Sequence, residues 1–110
     1  MADKTVDLKP FIPPGGNPHA PHTRVLIFQA RGDSLTWICD ESFRVERIVP
    51  SNPFGGLQTP VDAKLVDDLY QVSSGPVSDK TPGRKEYKMH FSADGGRKQI
   101  DPHFIVDGGP

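Results

Sequence analysis

Cysteine is almost absent from this sequence: Cys39 is the one thiol in 110 residues. A lone thiol cannot close an internal disulfide, and it leaves out zinc centres built on several cysteines. Such a count fits a reducing compartment. An excess of either charge is missing too, with 13 Lys and Arg against 14 Asp and Glu and a net charge of -1. The basic field that draws proteins to phosphate backbones is therefore lacking, and nucleic acid is not an expected partner. No run approaches the roughly 20 apolar residues that span a bilayer, so a membrane is not expected either. Residues 1–8 are polar and have neither the basic region nor the apolar stretch of a secretory leader, which points to a cytoplasmic protein. Internal repeats are absent.

What the chain has in quantity is turn chemistry, with 12 Pro and 11 Gly beside 35% hydrophobic residues. That balance suits one globular core with long turns, and a chain of this length has room for a single core. Pro10, Pro13, Pro14, Pro18 and Pro21 fall with Gly15 and Gly16 in residues 1–23. This segment reads as an irregular N-terminal arm, outside the core, in which helix is broken repeatedly. Within it Val6 and Leu8 alternate with polar neighbours, so Thr5–Lys9 is an expected edge strand that ends at proline.

Residues 24–110 form the expected folded domain. Val25–Phe28 is a short apolar run that suits a central strand, closed by a turn at Arg31-Gly32-Asp33. Leu35, Trp37 and Cys39 alternate with polar residues, as do Phe43 and Val45, the pattern of half-buried strands. Residues 50–56 (PSNPFGG) are a loop, and 62–70 (DAKLVDDLY) is the one expected helical segment, with Ala63, Val66 and Tyr70 at helical spacing. Strand is expected again at 71–74. A loop follows over 76–84. Tyr87, Met89 and Phe91 then share one face of a strand. Ala93-Asp94-Gly95-Gly96 supplies a hairpin turn, and 99–107 is the return strand. About seven short strands punctuated by turns predict an all-β protein, an antiparallel Greek-key β-sandwich with one short helical segment and the irregular N-terminal arm.

The order of features also carries a resemblance. The segment LTWICDESFRVERIVPSNPF, followed some thirty residues later by EYKMHFSADGGRKQIDPHFIVD, resembles the cupredoxin-like sandwich, and is most similar to small bacterial members of unknown function. The resemblance covers roughly residues 24–107. In copper-binding relatives it implies a histidine at the start of the second strand of the first segment. It also implies a cysteine at the end of the later strand, followed by a histidine and often a methionine. Here Phe43 and Phe91 stand at the first two of those positions, and residues 92–98 contain neither His nor Met. A type 1 copper site needs two imidazoles and a thiolate in fixed geometry, so no copper and no other cofactor is expected.

Several residues are candidate sites. Cys39 lies in phase with Trp37 on an apolar strand face, where cysteine is usually an inert hydrophobe, and Trp37 is the expected centre of the core. His19 and His22 are a possible metal pair in the arm, but Pro21 between them prevents the helical geometry that would align the rings. His103 is placed to approach His90 or Asp101 across the terminal hairpin. The acid pairs Asp67-Asp68 and Asp40-Glu41 are adjacent in sequence, not opposed as glycosidase carboxylates must be. Ser73-Ser74-Gly75 lacks the nucleophile elbow, and the Gly95-Gly96-Arg97-Lys98 run lacks a full phosphate loop. Phe54, between a proline and two glycines, is the partner-binding candidate, either as an exposed anchor or as a plug for one end of the sandwich. The leading expectation is a non-catalytic sandwich that binds another protein or itself. The alternative is a metal-binding or redox protein using His19, His22, His90 or His103. An enzyme whose site is assembled from loops is the third reading.

Overall fold

The strongest alternation in the sequence becomes the middle of a sheet. The computed structural model describes residues 3–12, 25–78, 82–93 and 102–109. Among these, β3 (Ser34–Cys39) buries Leu35, Trp37 and Cys39 and turns the intervening residues outward. The other described strands are β1 (Asp3–Asp7), β2 (Val25–Phe28), β4 (Phe43–Val49), β5 (Val61–Asp62), β6 (Lys64–Val66), β7 (Leu69–Pro76), β8 (Arg84–Ala93) and β9 (His103–Asp107). They form two sheets, one ordered β1-β3-β7-β6 and the other β2-β9-β8-β4-β5. Tyr87, Met89 and Phe91 on β8 face Leu35, Trp37 and Cys39 on β3 in one apolar core between the sheets. The protein is thus an all-β sandwich. No helix among the described residues is long and apolar enough to cross a membrane.

Each sheet is mixed rather than purely antiparallel: β1 runs parallel to β3 and β2 parallel to β9. Parallel neighbours need a long connection, and here β2, in the opposite sheet, lies between β1 and β3 in the sequence. Among the described strands the run 25–28 is consequently at an edge and not central. β2 pairs only with β9 among the described strands and fully buries only Ile27. On its outer face the Arg31 guanidinium covers the Phe28 ring at 4.5 Å, which shields an aromatic that the sheet itself leaves half-buried.

On β4, Glu46 and Arg47 are both exposed between the buried Val45 and Ile48. The register shifts between Val45 and Arg47. This β-bulge lets two consecutive charged residues face water and then returns Ile48 to the core.

Residues 3–12 belong to the sandwich and are not an arm outside it. The strand occupies Asp3–Asp7, earlier than the expected 5–9, and Leu8, Phe11 and Ile12 beyond it are buried in the core. The Asp3 carboxylate accepts from the Ser34 and Thr36 hydroxyls at 2.7 and 2.8 Å. Lys9 Nζ lies 3.4 Å from Asp40 and 3.3 Å from Glu41, and these acids hold its ammonium above the usual lysine pKa. The chain turns in a short 3₁₀ segment, Lys9–Phe11, begun by the Asp7 side chain accepting from Lys9 N at 3.0 Å. Four apolar residues outweigh the prolines here. The remainder of the expected arm, including His19 and His22, lies outside the described residues, as do the expected hairpin turn at 94–96 and the first residues of the return strand.

The expected helix over 62–70 is replaced by a β-hairpin. Val66 pairs with Leu69, so Asp67 and Asp68 form a two-residue connection, with φ of 50° and 68°. Both residues in the left-handed region make a turn whose twist matches the flanking strands, and Asp is among the residues that tolerate it. The helical spacing of Ala63, Val66 and Tyr70 was too short a pattern to compete with β7, which extends to Pro76. Replacing Asp67→Asn together with Asp68→Gly is expected to raise stability by about 0.5–1 kcal/mol, since these residues suit positive φ better. A urea midpoint that falls instead would show that the aspartates hold the turn by contacts of their own.

Candidate functional site: the β6 edge and its cleft

The chain changes sheets between β5 and β6. Val61–Asp62 closes the edge of one sheet against β4, Ala63 N donates to Phe43 O at 2.9 Å, and Lys64–Val66 then pairs with β7 at the edge of the other. Such a crossing opens a cleft at the side of the sandwich. It has a volume of about 460 Å³ and is walled by Leu57, Val61 and Val72 with Asp62, Lys64 and Ser73 at its polar margin. Asp62 is held by Arg44, whose Nε donates at 2.9 Å.

β6 is the outermost strand of its sheet among the described residues, so one side of its backbone has no strand partner there. It also carries the exposed large hydrophobic side chains of the described structure, Leu65 at 60% and Val66 at 44% exposure. Edge strands are usually blunted by charge, proline or a bulge. Here only Lys64 does that work. An extended segment laid along β6 would gain main-chain hydrogen bonds and cover both side chains. The signal in the sequence is LVDDL, a two-residue acidic turn between apolar residues, which coincides with the helical spacing of Ala63, Val66 and Tyr70.

The residues singled out from the sequence take other places. Phe54 is 1% exposed and packs on Trp37 and Phe104, with ring centroids 6.3 and 5.5 Å away. It fills the core and presents no anchor to a partner. Cys39 is buried, and desolvation pushes its thiol pKa up, the opposite of what a nucleophile needs. Phe43 and Phe91 are also in the core, edge to face with centroids 6.4 Å apart.

His103 pairs with Lys88 and not with His90, and Asp101 lies outside the described residues. Its Nδ1 lies 2.7 Å from Glu86 Oε2, and the register places it beside Lys88. His90, half-buried on β8, faces Arg47 of β4. Among the described residues no three His, Cys, Asp or Glu side chains gather as a metal site would require.

The remaining motifs serve the backbone. Asp33, buried, accepts from Phe28 N at 2.9 Å, and Gly32 before it has φ of 64°. Ser74, also buried, accepts from Leu35 N at 2.8 Å and donates to Gly75 O at 2.7 Å. Buried polar groups left unpaired would be costly, and here each satisfies a strand end. The acid pairs Asp40-Glu41 and Asp67-Asp68 act, respectively, as the partner of Lys9 and as a turn. No protein-family model and no curated protein matches this sequence.

Proposed function

We propose that this chain is a non-catalytic β-sandwich that binds protein, and that it associates with a second copy of itself through β6. The observation that carries the reading is the exposure of Leu65 and Val66 on an edge strand. Antiparallel pairing of two β6 strands about Leu65 would set Lys64 of each copy opposite Val66 of the other, beside its Asp67 and Asp68. That charge arrangement is self-complementary, as a twofold contact must be. A three-residue strand buries little area, so the association is a weak one.

The cupredoxin-like resemblance is part of the same proposal, in its copper-free form. It is supported by the two-sheet architecture and by the edge-to-face packing of Phe43 and Phe91, side chains with no lone pair to offer a metal. A cytoplasmic setting suits a chain whose single thiol is buried and protonated.

Sedimentation velocity across a hundredfold range of protein concentration tests the reading. The parent should sediment faster as concentration rises. The double variant Leu65→Lys, Val66→Lys should remain monomeric throughout, with stability within about 0.5 kcal/mol of the parent, as for other exposed positions. A parent that stays monomeric at every concentration, or a variant that associates equally well, would refute self-association through β6.

A further inference from the structure

Residues 3–12 are fastened to the sandwich along one stretch of chain. β1 pairs with β3 from Asp3 beside Ser34 to Asp7 beside Ile38, and Leu8 N donates to Ile38 O at 2.9 Å past the last pair. The Asp3 carboxylate accepts from the Ser34 and Thr36 hydroxyls, and Lys9 meets Asp40 and Glu41. The polar ties described for the segment thus end on residues 34–41 or within the segment itself. Val6, Leu8, Phe11 and Ile12 supply the apolar half of the fit, each at most 5% exposed. The groove along β3 is therefore matched to one sequence, with an acid at its start, a cation beyond the strand and four apolar side chains.

Residues 3–12 are joined to β2 through residues 13–24, a link of twelve residues. Twelve residues can span up to about 40 Å, whereas the molecule measures 41 by 29 by 21 Å. The link is long enough to carry the segment across either short dimension to the β3 of a neighbouring copy. Four of the twelve are proline, a composition that favours an extended link over a compact loop.

We infer that residues 3–12 are an exchangeable strand: two copies lay them on each other's β3, giving a twofold dimer in which each groove is filled by the other chain. Every contact named above is re-formed between chains, so exchange loses none of them and its cost is that of association. The surface is separate from β6, which lies at the opposite edge of the same sheet, and the inference does not rest on the β6 contact. The two associations also differ in kinetics. Four buried side chains must leave one groove before they can enter another, so exchange takes place during folding, and the exchanged dimer separates no faster than the segment opens. Concentrating folded monomer on the time scale of sedimentation leaves it unexchanged.

The test uses two full-length chains, both carrying Leu65→Lys and Val66→Lys so that the β6 contact is removed. One also carries Thr5→Cys and the other Thr36→Cys, at positions that are partners in the ladder on the outward face. The two are mixed, unfolded in urea and refolded at neutral pH at about 10 µM or at about 1 mM, the latter being the order of effective concentration that a short link provides. Size exclusion should show comparable amounts of monomer and dimer after refolding at the higher concentration, and at least about tenfold less dimer after refolding at the lower. The isolated dimer should persist for hours on dilution to about 10 µM. A short bis-maleimide should then join position 5 of one chain to position 36 of the other, as peptide mass spectrometry would read, and circular dichroism of the monomer should match the parent's. Monomer alone after refolding at the higher concentration, a dimer that falls apart within minutes of dilution, or a dimer without the link between positions 5 and 36 would each overturn the inference. The β6 reading stands or falls separately, on sedimentation of the folded parent.

Discussion

Phe54→Ala is expected to cost about 3–5 kcal/mol of folding stability, the range for an aromatic removed from a core. Small domains hold roughly 5–15 kcal/mol in all, so one loop residue would account for a large share. The reason is the way the loop is tied. Asn52 accepts from Phe54 N at 2.9 Å through its side-chain oxygen and donates to Leu57 O at 2.7 Å through its amide. Ser78 N donates to Pro53 O at 2.9 Å, and Ser78 Oγ accepts from Gly55 N at 2.7 Å. A Cβ on Gly55 would meet that same oxygen at 2.7 Å, so the approach itself calls for glycine. With the backbone held on both sides, little relaxation is available to fill the space the ring would leave, and the cost should fall near the upper end. Urea denaturation followed by Trp37 fluorescence would measure it. A midpoint equal to the parent's would mean that Phe54 is not part of the core.

Trp37→Ala should be at least as damaging. The indole is 1% exposed in the middle of β3 and meets Phe54 edge-on and Phe104 at 6.3 Å. Phe104 in turn stacks on Tyr87 with centroids 5.3 Å apart, so the four rings bridge the loop and both sheets. A loss of about 3–5 kcal/mol is expected, and at roughly 4 °C per kcal/mol the melting temperature should drop by about 12–20 °C. Trp37 is the single tryptophan, so this variant must be followed by circular dichroism. Where the alanine variant is unfolded at room temperature, Trp37→Phe gives a milder measure of the same site. The double variant with Phe54→Ala should lose less than the two single losses added together, by about 0.5–1.5 kcal/mol, because the two rings touch. Strict additivity would mean that they stabilise the fold separately, and a parental melting temperature for Trp37→Ala would contradict its place in the core.

The strands that could be read from the chain are those whose signal is local. Leu35, Trp37 and Cys39, or Tyr87, Met89 and Phe91, declare an inward face by a period of two, and that pattern holds whatever strand lies alongside. The 62–70 segment failed for a local reason as well: three apolar residues at helical spacing weigh less than an Asp-Asp turn at positive φ followed by a long strand. For residues 3–12 the prolines were conspicuous, while the burial of Leu8, Phe11 and Ile12 depends on a sheet far away in the sequence.

By itself, then, the sequence determined an all-β chain, its main alternating strands and an inert thiol. Pairing was decided only in the tertiary structure: among the described residues β1 lies beside β3, β2 is reduced to an edge, and β6 is left open with Leu65 and Val66 in water. The same is true of Lys88 and His103, which become neighbours only through the register of β8 and β9. Turn and face preferences arise from a residue and its nearest neighbours. Strand partners are chosen by burying the whole set of faces at once, against the entropy of closing long loops, and no short window of sequence contains that choice.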